Sequence, residues 1–299
     1  MKAKKAAATA AVFLFSQECA ILEKAKGRGD DMARAATKKE RSLLIKWMFA
    51  LTAVLAVMIG MALLLRPAEK TTQDLPQQTT APTVADLEFI RDDNGFLTCT
   101  TQLSVPGIDV SHHQGTIRWE EVRDAGVEFA IIRLGYRKSK DGTLHEDEQA
   151  RRNLAQAKAA GLKIGAYLFS QAVNEDEAAQ EAAFALEILG DTELDLPLVF
   201  DWEQVSDSTR TTDVSAETLM GCVRRFCGDV ERAGYKPMVY FNQDLARTRL
   251  DLQELEYPFW LAMYSEDLRF DYPVQCWQYT DQGRIPGIDE YVDIDLYFP

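Results

Sequence analysis

From Val105 to the end of the chain, short apolar runs alternate with longer amphipathic stretches. The runs are rich in Val, Ile, Leu, Phe and Tyr and too short for helices. They predict strands over Gly107–His112, Phe129–Tyr136, Lys163–Ser170, Leu198–Glu203, Met238–Asn242, Phe259–Tyr264, Val274–Tyr279 and Val292–Tyr297. Between the early strands, apolar positions recur at helical spacing and predict helices over Trp119–Ala125, Glu146–Ala160, Glu175–Leu189 and Ala216–Ala233. Gly161 and Gly234 stand where helix C-termini need a left-handed residue, and Asn174 with Glu177 reads as an N-cap with its capping box. Strands alternating with helices predict an α/β fold, a (β/α)-barrel of eight strands. Its later helices must be reduced, because residues 105–299 are few for eight full units.

Upstream the pattern is different. Trp47 to Leu65 is an uninterrupted run of uncharged, mostly apolar residues between Lys46 and Arg66. As a helix it spans about 28 Å, against a hydrocarbon core of about 30 Å, and it has no polar stripe, so it predicts a single transmembrane helix. Lys38, Lys39, Arg41 and Lys46 flank it on the N-terminal side, which predicts a cytoplasmic N-terminus and an extracellular C-terminal part. Ala6 to Phe15, after three lysines, resembles the start of a signal peptide but is too short to cross, and reads as part of the cytoplasmic tail. Residues 67–83 are rich in Pro, Thr and Gln without apolar period, the composition of a stalk. The predicted organisation is a basic tail over 1–46, a membrane span over 47–65, a stalk and lead-in over 66–104 with a short strand near Phe96–Thr101, and a barrel domain over 105–299.

Candidate chemistry collects at the predicted strand ends, where barrel enzymes carry their sites. The fourth strand ends in Asp201-Trp202-Glu203. Side chains at i and i+2 of a strand share a face, and two residues of rise set their Cα atoms roughly 6.6 Å apart, so the two carboxyls would stand side by side with Trp202 turned away. A carboxyl pair at such range is what cleavage of a glycosidic bond uses. Asp109 ends the first strand and Asp293 lies on the last. Tyr136, Tyr167, Tyr240, Trp260, Tyr264 and Trp277 stand at the ends of others, and Asp295 follows Asp293 by two. Each aromatic serves equally well as core. Together, an acidic mouth ringed by aromatic faces suits a carbohydrate. Arg133 is expected to neutralise a buried acid. His112 and His113 have no ligand spacing around them, so no metal and no cofactor is expected.

Charge narrows the partners. The chain carries a net −14, yet residues 1–46 hold +6, which leaves −20 on the remainder. So acidic a body excludes nucleic acid as its partner. Cys222 and Cys227, five apart on one helix, point about 140° apart and do not bridge each other. Cys99 and Cys276 leave either a disulfide or buried thiols open.

The motifs GIDVSHHQG (107–115), FAIIRLGYR (129–137), GLKIGAYLFSQA (161–172), LVFDWE (198–203), AGYKPMVYFN (233–242), FWLAMY (259–264), CWQYTDQGRIPGI (276–288) and VDIDLY (292–297) follow one another as in the glycoside hydrolase family 25 lysozymes, which residues 106–299 resemble. The resemblance implies an N-acetylmuramidase that cuts the β-1,4 bond between N-acetylmuramic acid and N-acetylglucosamine in peptidoglycan glycan strands. It implies a catalytic pair at Asp201 and Glu203, with Asp109 and Asp293 beside it. Glu203 would be the general acid, and Asp201 would stabilise the transition state or orient the substrate's 2-acetamido group. Two departures stand out: Asp295 replaces the usual Asn of the last strand, and Arg118 replaces the Asp that often precedes Trp119. The alternative is a non-catalytic peptidoglycan-binding module that anchors membrane to wall. A chitinase-like barrel fits less well, because Val199 stands where its middle acid belongs.

Overall fold

A computed structural model of the chain describes residues 87–206 and 209–299. The tail, the predicted membrane span at 47–65 and the stalk lie outside the described residues. Among the described residues no helix is long and apolar enough to cross a membrane.

A β-hairpin comes first, β1 (Phe89–Arg91) and β2 (Leu97–Cys99). The main sheet holds β3 (Val105–Val110), β4 (Phe129–Arg137), β5 (Leu144–Glu146), β6 (Lys163–Ser170), β7 (Leu198–Trp202), β8 (Pro237–Asn242), β9 (Phe259–Ala262), β10 (Cys276–Gly283) and β11 (Val292–Tyr297). Its spatial order is β3-β11-β10-β9-β8-β7-β6-β4-β5, and pairing of β3 with β4 closes the ring. Eight strands therefore form a barrel, and β5 hangs on the end of β4 as a hairpin partner. The helices are α1 (Trp119–Asp124), α2 (Ala150–Ala160), α3 (Glu175–Leu189), α4 (Ala216–Arg232) and α5 (Gln243–Thr248). As the sequence predicts, helices thin out late: no helix joins β9 to β10 or β10 to β11.

One feature departs from a regular (β/α)-barrel. The barrel strands β3, β4 and β6 to β10 run parallel, but β11 is antiparallel to both β10 and β3. The connection over 284–291 is too short for a crossover, so the last strand returns by the route open to a short loop. The N-terminal end of β11, with Asp293, consequently reaches the mouth where the other strands end. The lead-in differs as well: Phe96, Leu97 and Cys99 of the first hairpin are buried in the barrel's outer core, and Phe89 packs edge-on against Trp277 at 5.0 Å.

Two apolar cores follow from the period-two alternation of the strands. The inner one fills the barrel with Phe129, Ile131, Val199, Met238, Cys276 and Tyr297 among others. The outer one packs Ile108, Ile132, Phe200, Phe241 and Leu296 against the helices. Helix α4 shows how that face is made: Leu219, Val223, Phe226 and Val230 form one buried stripe, with Phe226 5.0 Å from Phe200. Burying each such side chain contributes about 1.5–3 kcal/mol. Gly107 points into the barrel, where a Cβ would come within 2.3 Å of the Phe129 ring. Its lack of a side chain lets the inner core close beneath the mouth. Cys99, Cys222, Cys227 and Cys276 are all buried free thiols. Asn174 caps α3 by accepting from Glu177 N at 2.9 Å, but the Glu177 carboxylate accepts from Val173 N instead of completing the box, and it grips Arg210.

Candidate active site

The inward face of each strand delivers one or two groups to the mouth. On β7, Phe200 and Trp202 belong to the outer core while Val199 points in, so Asp201 and Glu203 point in as well. Trp202 is fixed outward by Nε1 donating to Ala172 O at 2.9 Å. Glu203 lies just past the strand, and its backbone carbonyl accepts from Gln171 Nε2. The loop beyond is tied down by Arg210, which donates to Gln171 O at 3.1 Å and to both Glu177 oxygens. These anchors hold Glu203 over the mouth.

Asp109 of β3 and Asp293 of β11 are direct partners in the antiparallel register. Gln278, inward on β10, donates to Asp109 Oδ2 at 2.7 Å and accepts from Tyr240 OH at 3.3 Å and Tyr264 OH at 3.2 Å. Asp109, Asp201, Glu203 and Asp293 thus line one cavity of about 230 Å3, together with Tyr167, Tyr240, Trp260, Tyr264, Gln278 and Arg133. Trp260 forms its aromatic floor, edge-on to Tyr240 at 4.8 Å and to Tyr167 at 6.0 Å.

Three predicted substrate contacts sit elsewhere. Trp277 alternates with Cys276 and Gln278 and therefore faces the outer core, fully buried, with Nε1 donating to Met263 O at 2.8 Å. Asp295 points into the barrel one layer below Asp293, wholly buried, and accepts from Trp260 Nε1 at 2.8 Å. It supports the floor of the cleft and does not line it. Tyr136 lies in an adjoining groove, because a register shift between Arg133 and Gly135 of β4 reverses the alternation there. It stacks on His145 at 5.5 Å, below the Arg133 guanidinium.

Two groups carry more than their sequence signal suggested. Gln278 links Asp109 to two tyrosines, and its inward phase on β10 was the available sign. Asp147, which the sequence places in the first turn of a helix from Glu146 but which lies in the turn before α2 (Ala150–Ala160), is the acid that Arg133 neutralises, at 2.8 Å from Nη2 and 2.9 Å from Nε. The same Asp147 oxygen accepts from His112 N at 3.1 Å, and Arg133 Nη2 lies 2.6 Å from His112 Nδ1.

The electrostatics are those of crowded acids. Burial, then Asp293 and Asp295, pushes the Asp109 carboxyl well above the carboxylate range. Burial and then Glu203 raise Asp201, while Arg133 draws it down. Burial raises Glu203, opposed by the neighbouring Tyr240 hydroxyl. Burial, with Asp281 and Glu203, lifts Asp293 to about 6. Asp201, 5% exposed, is thus not singled out by its surroundings as the carboxyl that stays ionised, because burial lifts it as it lifts Glu203. Asp201 Oδ1 is buried without a hydrogen-bond partner among the described residues. A buried acceptor left unmatched is costly unless a ligand supplies the donor.

A closed α/β barrel whose mouth gathers inward carboxyls over an aromatic floor has the build of a glycoside hydrolase. The model of the glycosyl hydrolases family 25 matches residues 108–288, and the chain belongs to that family. It is 31% identical over 203 residues to the protein YegX of Escherichia coli O6:H1, covering 65% of this chain and 70% of that one. Among solved structures it is similar to the modular autolysin LytC of Streptococcus pneumoniae (TM-score 0.60, 26% identity, 71% of this chain and 52% of that one). It is also similar to the bacterial lysozyme of Streptomyces coelicolor (TM-score 0.56, 25% identity, 65% of this chain and 92% of that one). The chain spans about half the length of the pneumococcal autolysin.

Proposed function

We propose that the barrel hydrolyses the β-1,4 bond between N-acetylmuramic acid and N-acetylglucosamine in peptidoglycan. The observation that carries this reading is the shared inward face of Asp201 and Glu203 at the acid-lined mouth. Membership of the family and likeness to a lysozyme and an autolysin support the substrate. Glu203, the more exposed of the pair, is the general acid: burial favours its protonated form, and the bond oxygen takes that proton as it leaves. Asp201 works from below as an anion. The 2-acetamido N–H of the sugar supplies the donor that Asp201 Oδ1 lacks, which favours the ionised carboxylate once substrate is bound. So oriented, the acetamido oxygen closes on the anomeric carbon, a substrate-assisted route outside the usual two-carboxylate scheme. Asp109 and Asp293 hold the incoming water or the sugar hydroxyls, with Gln278 fixing Asp109. Tyr167, Tyr240, Trp260 and Tyr264 offer the aromatic faces, and Tyr136 binds substrate in the groove beside the acid pocket.

The presence of every acid favours an enzyme over a binding module that anchors membrane to wall. Turbidity of a suspension of purified wall separates the two: the wild type clears it and Glu203→Gln does not. Clearing by the variant would overturn the acid assignment, and no clearing by the wild type would favour the binding module.

The apolar run 47–65 with its basic N-terminal flank supports a single-pass membrane protein whose tail is cytoplasmic and whose barrel faces the wall from a stalk. Such a tether confines cutting to wall close to the membrane, which suits remodelling.

A further inference from the structure

A second groove of about 720 Å3 opens off the acid pocket, and His113, Arg133 and Phe169 line both. Its charge is opposite to that of its surroundings. Beyond residue 46 the chain carries a net −20, yet among its described lining residues this groove presents Arg133, Arg137, Lys138 and Lys140 against a single carboxylate, Asp141. The two arginines are spoken for, Arg133 by Asp147 at 2.8 Å and Arg137 by Glu181 at 2.7 Å. Asp141 is turned onto its own loop, accepting from Thr143 N at 2.9 Å and Thr143 Oγ1 at 2.6 Å. That leaves Lys138 and Lys140, both exposed on the β4–β5 hairpin, with no close ion pair to a described residue, although Lys138 also feels the charge of Asp141 across the loop. Between them and the acid pocket the wall is apolar: Tyr136, Phe169 and Val205, the last 54% exposed.

A groove with carbon walls and two exposed ammonium groups at its edge recognises a short chain that bears carboxylates. Its position says where that chain comes from. Asp293, ionised above about pH 6, and Asp201 as the anion of the proposed reaction repel an anionic substituent on a bound sugar, and the groove with Lys138 and Lys140 adjoins the acid pocket. In peptidoglycan the muramic acid carries a peptide stem with free carboxylates on its lactyl ether.

Resting on the peptidoglycan reading above, we propose that the groove over the β4–β5 hairpin binds this peptide stem, with Lys138 and Lys140 as its anion contacts. The barrel is then a reader of peptide-bearing glycan, and bare glycan is its poorer ligand.

The test measures equilibrium binding and turnover of the full chain with a soluble muramic acid–glucosamine oligomer that keeps its stems, and with the same oligomer after the stems are removed. The wild type should bind the stem-bearing oligomer at least ten-fold more tightly. Lys138→Glu/Lys140→Glu should lose that advantage, keep its affinity for the bare oligomer, and raise KM on the stem-bearing one at unchanged kcat. Salt should weaken the advantage in the wild type only. Equal binding of both oligomers by the wild type, or an advantage that survives in the variant, overturns the proposal. A glycerol-phosphate oligomer that competes as well as the stem peptide also overturns it, in favour of a wall phosphodiester. Stem preference without turnover would overturn the hydrolase reading alone, and turnover without preference would overturn the groove alone.

Discussion

Asp109 on β3 and Asp293 on β11 face each other as register partners across an antiparallel pair, within a barrel whose other neighbouring strands run parallel up to β10. The reversal of β11 puts the start of one strand beside the ends of the others. A carboxyl that would sit at the far end of a parallel strand instead joins the mouth, where it raises the proton affinity of Asp109 and Asp201 and is itself raised by burial, then Asp281 and Glu203.

That crowding has a stability signature. The Asp293 carboxyl is lifted from its ordinary value to about 6. A raised carboxyl stabilises the fold fully below its unfolded pKa, near 3.8, and the contribution is lost as pH rises through 6. At pH 8 the ionised group is therefore a burden. Asp293→Asn should stabilise the barrel at pH 8 by roughly 1–3 kcal/mol and leave it unchanged at pH 4. Denaturant unfolding at the two pH values checks this, and a gain that is equal at both would contradict it.

Asp147 should matter to stability out of proportion to its distance from the acids. Its side chain is fully buried and holds Arg133 and His112. Burial opposes its ionisation, but the backbone N–H groups of Gln149 and His112, with Arg133, hold its carboxyl below the usual range. Asp147→Ala strands a buried guanidinium at a cost of about 3–5 kcal/mol. Thermal unfolding should show a fall in Tm of roughly 10 °C; a fall of a degree or two would mean that Arg133 is not held by this acid.

The two tryptophans on neighbouring strands should separate cleanly. Trp277→Phe removes a bond to Met263 O and a contact with Phe89 on the outer face, so it should cost about 1–3 kcal/mol of stability while leaving KM unchanged. Trp260→Phe lowers the cleft floor and frees Asp295, and should raise KM several-fold. Steady-state kinetics beside denaturant unfolding reads both. A KM effect from Trp277→Phe equal to that of Trp260→Phe would contradict the assignment of faces.

Much of this was legible in the chain because strand phase is legible. The run Leu198–Glu203 carries its inward and outward faces in its alternation, and Lys163–Ser170, Glu175–Leu189 and Val292–Tyr297 were bounded in full by apolar period and caps. What escaped was set by tertiary context. Trp277 looked like a ligand contact because its type suits sugars, although its phase opposite Gln278 turned it outward. Tyr136 was turned onto the same face as Phe169 by a register shift that no local signal marks, which seats it in the groove beside the acid pocket. Asp147 lies in a turn and meets Arg133 only once β4 and α2 are packed. The direction of β11 depended on the length of a loop, which composition does not reveal. Asp295 kept the phase of Asp293 as expected, but depth along the strand, one layer down, decided that it serves Trp260.

The stalk reading has its own check. Cutting the chain within residues 67–83 should release a barrel that digests soluble wall fragments at the rate of the full protein. A rate reduced by ten-fold or more would show that residues before the barrel contribute to the reaction itself.

The central claim is that Glu203, paired with Asp201 on one inward face, protonates the bond that muramic acid makes through its anomeric carbon. Mass analysis of purified wall digested by the wild type and by Glu203→Gln, after reduction of the new ends, tests it most directly. Reduced muramic acid is expected at the ends released by the wild type, with a loss of at least about 100-fold in release by the variant. Reduced glucosamine at those ends, or release by the variant at a near-normal rate, would contradict it.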